Sequence, residues 1–283
     1  MIKKLMGAVA LMLSCTATYA AEAGFPLDRA PNLVNDLASL QNGAKLFVNY
    51  CLNCHSANAM RYNKLQEIGL TDKQIQDSLL FSGEKVGDLM TIAMTPKEGK
   101  KWFGTNPPDL SVIARAKSVN AGPSGSDYIY TYLRTFYRDT ERATGWNNLV
   151  FPNAAMPHVL WQRQGPRELT LVSMHQVEAS DGTKSWERVT TLYDAQGYST
   201  TKAEPVAHFS GHAGPPEAKF KALDPSRVAA YDRDVADLTA FMTWMAEPVQ
   251  RFRVQLGVGV MIFLGLFLVV AWRLNAAYWK HVR

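Results

Sequence analysis

Cys51-Leu52-Asn53-Cys54-His55 constrains this chain more than any other stretch. Two thiols three residues apart, followed at once by an imidazole, are what covalent haem attachment requires. Each thiol can add to one vinyl group of the macrocycle, and their spacing on one helical turn matches the separation of the vinyls. The next residue then sits under the ring plane, where a ring nitrogen can bind the iron as proximal ligand. A Cys-x-x-Cys alone is shared with thioredoxin-like redox pairs and with half of a zinc site. The adjoining His55, with no second cysteine pair in the sequence to complete a zinc site, removes most of that ambiguity and leaves a dithiol or metal-free pair as the lesser alternative. The expected cofactor is one covalently attached haem c.

Both ends of the chain speak of membranes. Met1-Ile2-Lys3-Lys4, the apolar run Leu5 to Leu13 and the small residues of Thr18-Tyr19-Ala20-Ala21 form a secretory signal pattern, too short to span a bilayer. Loss of residues 1–20 removes Cys15 and leaves two cysteines, both in the haem motif, so no disulfide framework is expected. Ser14 rather than Gly or Ala before Cys15 argues against lipidation. At the other end, Leu256 to Trp272 is uncharged and flanked by Arg251, Arg253 and Arg273. At about 1.5 Å per residue it covers roughly 26 Å, enough for a bilayer core with Trp272 at an interface. A buried core helix rarely lacks polar residues for so long. The organisation expected is a signal peptide (1–20), an outer domain (21–250), an anchor (254–273) and an inner tail (274–283). The signal peptide places the haem domain in the periplasm of a bacterial inner membrane, crossed once; the flanking charges add little.

The net charge of +5 changes meaning once it is divided. Seven of the 30 basic residues are Lys3, Lys4 or lie from Arg251 onward, and no acidic residue lies in either region. Residues 21–250 keep 23 basic and 25 acidic side chains, so nothing supports a nucleic-acid role. A slightly acidic outer domain suits a basic soluble partner.

The periodicity predicts a helix over Ser39–Asn53, with Leu40, Leu46, Phe47 and Tyr50 on its apolar face. Gly43 inside it implies close approach of another helix. The candidate is Tyr231–Ala246, where Val235, Leu238, Met242 and Met245 recur at helical spacing, Phe241 and Trp244 widen the face, and Glu247-Pro248 ends the run. A third helix is expected over Asp127–Arg138, with Tyr128, Tyr132 and Phe136 on one side as a core stripe or a haem wall. Residues 22–36 look like an irregular leader. Leu169–Val172 and Trp186–Tyr193 are strand-like around an Asp181-Gly182 turn, giving a small β-hairpin followed by a Gly/Pro-rich loop within an insertion at about 162–213. His208 and His212 stand four apart, but Gly211, Pro215 and Pro216 argue against a helix that would make them a metal pair.

Electron transfer calls for a second axial ligand, and methionine serves this in cytochromes. Met60, Met90, Met94, Met156, Met174, Met242 and Met245 are the candidates. Met60 lies too near His55 to reach the opposite face easily, and Met242 and Met245 fit the core of the last helix. Met156 sits in Phe151-Pro152-Asn153-Ala154-Ala155-Met156-Pro157, a loop stiffened by two prolines, with His158 as a rival and ordinary packing as the alternative.

At this point the motifs converge on a family. The chain resembles the cytochrome c1 family, the membrane-anchored haem subunits of quinol–cytochrome c reductase (bc1) complexes. The resemblance rests on Cys51 to Ser56 with Arg61-Tyr62, Pro107-Pro108-Asp109-Leu110-Ser111, Asp127-Tyr128, Phe151-Pro152 leading to Met156-Pro157, and Trp244-Met245-Ala246-Glu247-Pro248 before the anchor. It implies a mainly α, class I cytochrome c-like domain with the small hairpin insertion and one C-terminal transmembrane helix. It implies His55 and Met156 as iron ligands, Arg115 beside a haem propionate and Tyr128 near the haem. The implied partners are a cytochrome b subunit, a Rieske iron–sulfur protein as donor and a c-type cytochrome as acceptor, in a dimeric complex within the membrane. Two departures stand out: a short segment between the haem motif and the prolines, and the added stretch Gln162 to Ala213. A membrane-tethered carrier outside such a complex, or a haem sensor or peroxidase with an open iron position, are the other classes considered.

Overall fold

A computed structural model describes residues 24–178, 184–207, 209 and 214–281. The signal pattern, the Asp181-Gly182 turn, His208 and His212 lie outside the described residues.

The first helix, α1 (Leu37–Leu46), starts two residues before the predicted one. The Asp36 carboxylate accepts from the backbone N–H groups of Ala38 and Ser39, meeting donors that the helix itself cannot. The coil then widens into one π turn over Phe47–Cys51, closed by Leu52 N–H to Phe47 O at 3.0 Å. Such turns cluster at functional sites, and this one delivers the haem motif. After it come β1 (Ala57–Arg61), a 3-10 turn (Tyr62–Ile68), α2 (Asp72–Ser78), β2 (Leu89–Met90), α3 (Pro96–Phe103), α4 (Ile113–Ala116) and α5 (Gly125–Arg134).

Helix α5 opens with a Ser124/Asp127 capping box and stops before the predicted Arg138. Phe136–Arg138 instead forms β3, paired antiparallel with β4 (Trp146–Asn148). Two consecutive buried aromatics with a partner strand favour the extended state over another helical turn. The described part of the leader forms no helix or strand before α1 and is fastened to α5: Asp28 N–H donates to Thr131 Oγ1 and Ala30 N–H to Asp127 Oδ1, each at 2.8 Å.

The remaining helix of the domain, α7 (Val228–Ala246), follows the short α6 (Trp161–Gln164) and a sheet. It packs across α1 at Gly43, as the sequence required. A Cβ there would lie 2.6 Å from Phe241 Cβ and closer still to the Asp237 carbonyl oxygen. Phe47 and Phe241 meet at 5.5 Å, and Asn42 donates to the Asp237 carboxylate at 2.8 Å. Leu40, Ala44, Phe47, Val235, Leu238 and Phe241 are core residues of this crossing.

The predicted hairpin is present and forms half of a larger sheet. β5 (Arg167–Glu178) and β6 (Lys184–Tyr193) pair antiparallel, flanked by β7 (Ser199–Val206) and β8 (Glu217–Ala222) in the order β7-β6-β5-β8. The stretch expected as a loop thus contains β7, and the sheet runs on past residue 213 through β8. Leu169 packs with Tyr137 and Leu149 in a second small core. Arg167 joins sheet to domain: its guanidinium donates to the carbonyls of Arg134 and Phe136 and lies 3.7 Å from the centre of the Phe220 ring.

After Glu247 the chain enters α8 (Gln250–Tyr278), whose segment Phe252–Tyr278 is long and apolar enough to cross a membrane. One carboxylate secures the junction. Glu247 takes Arg115 at 3.2 Å and Arg253 at 2.5 Å, and these two guanidinium groups hold its pKa below the ordinary value.

Gly43→Ala should lower stability by about 1–3 kcal/mol, the usual range for forcing extra volume into a packed contact. Thermal unfolding of the full chain checks this, and an unchanged midpoint would mean the helices separate freely at that point.

Candidate functional site

Three separate segments carry the candidate haem-binding residues and the groups that hold them. The π turn directs Cys51 inward, 7 % exposed, and leaves Cys54 half-exposed. Burial, with a smaller contribution from Cys54, pushes the Cys51 thiol up to about 12; burial raises Cys54 as well.

The second segment is Pro107–Ser111. His55 Nδ1 lies 2.7 Å from the Pro108 carbonyl oxygen, so this nitrogen carries the proton and donates it. Burial lowers the pKa of His55, outweighing the Pro108 carbonyl and the Asp109 charge, which act the other way. The ring is therefore neutral with its lone pair on Nε2, the state a metal ligand needs. Asp109 stitches the two segments together: its carboxylate accepts from Asn58 N–H at 2.7 Å and from Ser111 N–H at 2.8 Å. Leu110 N–H donates to Ser56 O, and Ala59 N–H to Ser111 Oγ. Burial works to raise Asp109, but its hydrogen bonds with Asn58 and Ser111 prevail and hold it below the ordinary value.

The third segment is the loop of Met156. Asn147 and Asn148, on β4, hold it by their side chains. Asn147 Oδ1 accepts from Asn153 N–H at 2.8 Å, and Asn148 Oδ1 accepts from Val150 and Phe151 N–H at 2.9 and 3.1 Å. Asn153 sits at φ 63°, which bends the chain toward the buried Ala154. Met156 is half-buried, and the Tyr132 hydroxyl donates to its Sδ at 3.6 Å. Sequence reasoning missed both asparagines; two adjacent amides after a strand-forming tryptophan give no local signal of the loop they hold.

Among the other methionines, Met60, Met90, Met242 and Met245 are buried in the main core, whereas Met94 and Met174 are partly exposed. The rival His158 is 1 % exposed in an aromatic box of Phe136 (4.8 Å, stacked), Trp146 (5.0 Å) and Tyr231 (6.2 Å), and burial lowers it to about 3.

Tyr128 stacks on Tyr132 at 6.0 Å, and Tyr132 meets Phe136 edge-on at 5.0 Å, so the aromatic stripe forms one wall despite the helix ending between them. The structure places Arg115 elsewhere than on that wall. Its side chain is 61 % exposed and pairs with Glu247 at the membrane end of the domain. The cation over the wall is Lys117, whose Nζ lies 4.7 Å from the Tyr128 ring centre. Motif spacing locates both residues but does not say which way either side chain turns.

Two thiols on one turn, a neutral imidazole with Nε2 available and a thioether loop backed by an aromatic wall make a donor set that fits a c-type haem. Among the described residues, no group of three or more His, Cys, Asp or Glu side chains converges as a metal cage would.

The sequence profile of the Cytochrome C1 family matches residues 31–191 and 224–282. The unmatched interval, 192–223, holds β7 and β8. The chain is 39 % identical to a protein of Nitrosomonas europaea named ammonia monooxygenase gamma subunit, over 100 % of this chain and 99 % of that one. It is 37 % identical to cytochrome c1 of Allochromatium vinosum, over 99 % and 100 % of the two chains. Cytochrome c1 of Rhodospirillum rubrum is 23 % identical over 88 % and 83 %.

The lowered pKa of Asp109 carries a pH dependence. Its contribution to stability is complete above the ordinary carboxylate value of about 4 and is lost as pH falls through the lower native value. Asp109→Asn should therefore flatten the acid limb of a stability–pH curve obtained from urea titrations. A limb of unchanged slope would show that the carboxylate does not fasten the segment.

Proposed function

The chain belongs to the cytochrome c1 family, and from that premise we propose that it takes one electron from a Rieske iron–sulfur protein and passes it to a c-type cytochrome outside the membrane. At the coarser level, membership makes it an electron-transfer haem subunit of a bc1-type reductase complex, a redox subunit with a covalently bound haem c. The His55 ring, whose Nδ1 donates to the Pro108 carbonyl beside the two thiols, supports the haem-subunit reading, and the finer one rests on the likeness to cytochrome c1 along the whole chain.

When bound, a haem c supplies a reversible one-electron couple of its iron. The chain's residues do the rest. Cys51 and Cys54 would hold the group through thioethers, one to each vinyl group. His55 Nε2 and Met156 Sδ would bind the iron, and each has a neighbour that positions it: His55 Nδ1 donates to the Pro108 carbonyl, and the Tyr132 hydroxyl donates to the thioether. Tyr128 and Tyr132 exclude water along one wall. Lys117 is the cation we assign to an anionic edge of the group; Arg115, tied to Glu247, supports the junction with the anchor. Quinol oxidation we assign to other subunits of the complex.

The partners follow from the family: a cytochrome b subunit beside α8 and a Rieske protein as donor, in a complex we take to be dimeric. We place the haem domain in the periplasm, with α8 crossing the inner membrane once. One relative is named as a monooxygenase subunit, and purification separates the two assignments.

Extraction in mild detergent should bring down a cytochrome b and a Rieske protein with this chain. Recovery of a lone, fully active haem chain would assign a free-standing carrier, and recovery with monooxygenase subunits would assign that complex. Met156→Leu tests the ligand set. The low-spin spectrum should be lost and the potential should fall, within the roughly 0.8 V range that axial ligands control. An unchanged spectrum rejects Met156.

A further inference from the structure

The balance of charge over the outer domain conceals a local reversal. Residues 91–123 carry five basic side chains against two acidic ones, Glu98 and Asp109. Both carboxylates are committed to backbone groups. Glu98 closes the capping box of α3 on Thr95, and Asp109 binds the N–H groups of Asn58 and Ser111. Lys97, Lys100 and Lys101 are exposed on α3, and among the described residues none of the three makes an ion pair. Trp102, beside them, is 60 % exposed.

This helix borders the functional site. Its buried face is Gly99, where a Cβ would lie 3.0 Å from both Asn106 Oδ1 and Pro107 Cδ. The next residue, Pro108, offers the carbonyl that holds His55. A basic face around an exposed indole therefore stands one chain segment from the axial histidine. Exposed lysines are most often simply solvated, but here three of them, without ion-pair partners, outnumber the single carboxylate of the helix and adjoin an aromatic, which is the composition of a steering surface.

Resting on the reading of the chain as an electron-transfer subunit, we propose that α3 docks an acidic redox protein. The electron acceptor is then a c-type cytochrome with a negatively charged face, opposite to the basic partner that the overall charge suggests. In the step itself one electron leaves this chain and reduces one ferric haem of the partner. No bond is made or broken, and no proton is transferred.

The test uses the full haem-loaded chain in detergent, reduced with ascorbate and mixed in a stopped-flow instrument with oxidised soluble c-type cytochromes. One probe is strongly acidic and the other strongly basic, with similar potentials. At low ionic strength the acidic probe should react about tenfold faster than the basic one, and added salt should erase the difference. The triple variant Lys97→Gln, Lys100→Gln, Lys101→Gln should lose that advantage, with unchanged absorption spectrum and unchanged rates at high salt. Calorimetric titration of the two oxidised proteins, where no electron moves, should show the same weakening of binding. A faster reaction with the basic probe, or a variant indistinguishable from the parent, overturns the docking assignment while the carrier reading stands. Exchange with neither probe overturns both. A loss of rate seen in phosphatidylglycerol nanodiscs but absent in phosphatidylcholine ones would assign the helix to the membrane surface instead.

Discussion

Everything about the haem domain hangs on the crossing of α1 and α7 at Gly43. With hydrogen in place of a side chain, the backbone of α7 comes to rest on α1, and Phe47 and Phe241 close over the contact. Close packing of this kind transmits position, because neither helix can shift without opening a void or a clash. The end of α1 carries the haem motif, and the end of α7 carries Glu247 and the way into the anchor. One contact thus relates the redox site to the membrane. The ion pairs of Glu247 with Arg115 and Arg253 reinforce that relation at the lower end. Such partly exposed pairs contribute little energy by themselves. Their use here is directional, holding the first turn of α8 against the domain.

The site is assembled from segments that are remote in sequence and individually weak. The motif supplies thiols and imidazole, Pro107–Ser111 supplies the carbonyl that orients the imidazole, and β4 supplies two amides that shape the methionine loop. Most of these connections are hydrogen bonds between a side chain and a backbone group. Networks of this sort define position better than they add stability. A carrier whose chemistry is one electron benefits from that division, since its redox centre need not rearrange between states.

Much of this was legible because the signals were local. Cys51 to His55, the helical spacing of Val235, Leu238, Met242 and Met245, and the uncharged run before Arg273 each state their meaning within a few turns. Gly43 even announced its neighbour. Where reading failed, the cause was long-range or directional. The helix from Asp127 was drawn four residues too long because Phe136 and Tyr137 find their partners in Asn148 and Asn147, beyond any helical window. β7, reading STTKAEPV, is exposed over nearly its whole length, so no alternation marks it as a strand. The π turn differs from an α turn by one residue in its hydrogen bond, which composition does not encode. Arg115, on α4, pairs with Glu247 while Lys117, just past the helix, lies over the Tyr128 ring, a difference of direction that spacing along the chain does not encode.

The depth of Cys51 bears on the order of events during maturation. Asn42 and Asp237 pair across 195 residues of sequence, so the core around the motif stays open until nearly the whole outer domain has been delivered. Cys51 itself ends 7 % exposed in that core. The redox end of α1 therefore takes its final surroundings only when the last helix before the membrane arrives, so the front of the domain is completed from its back.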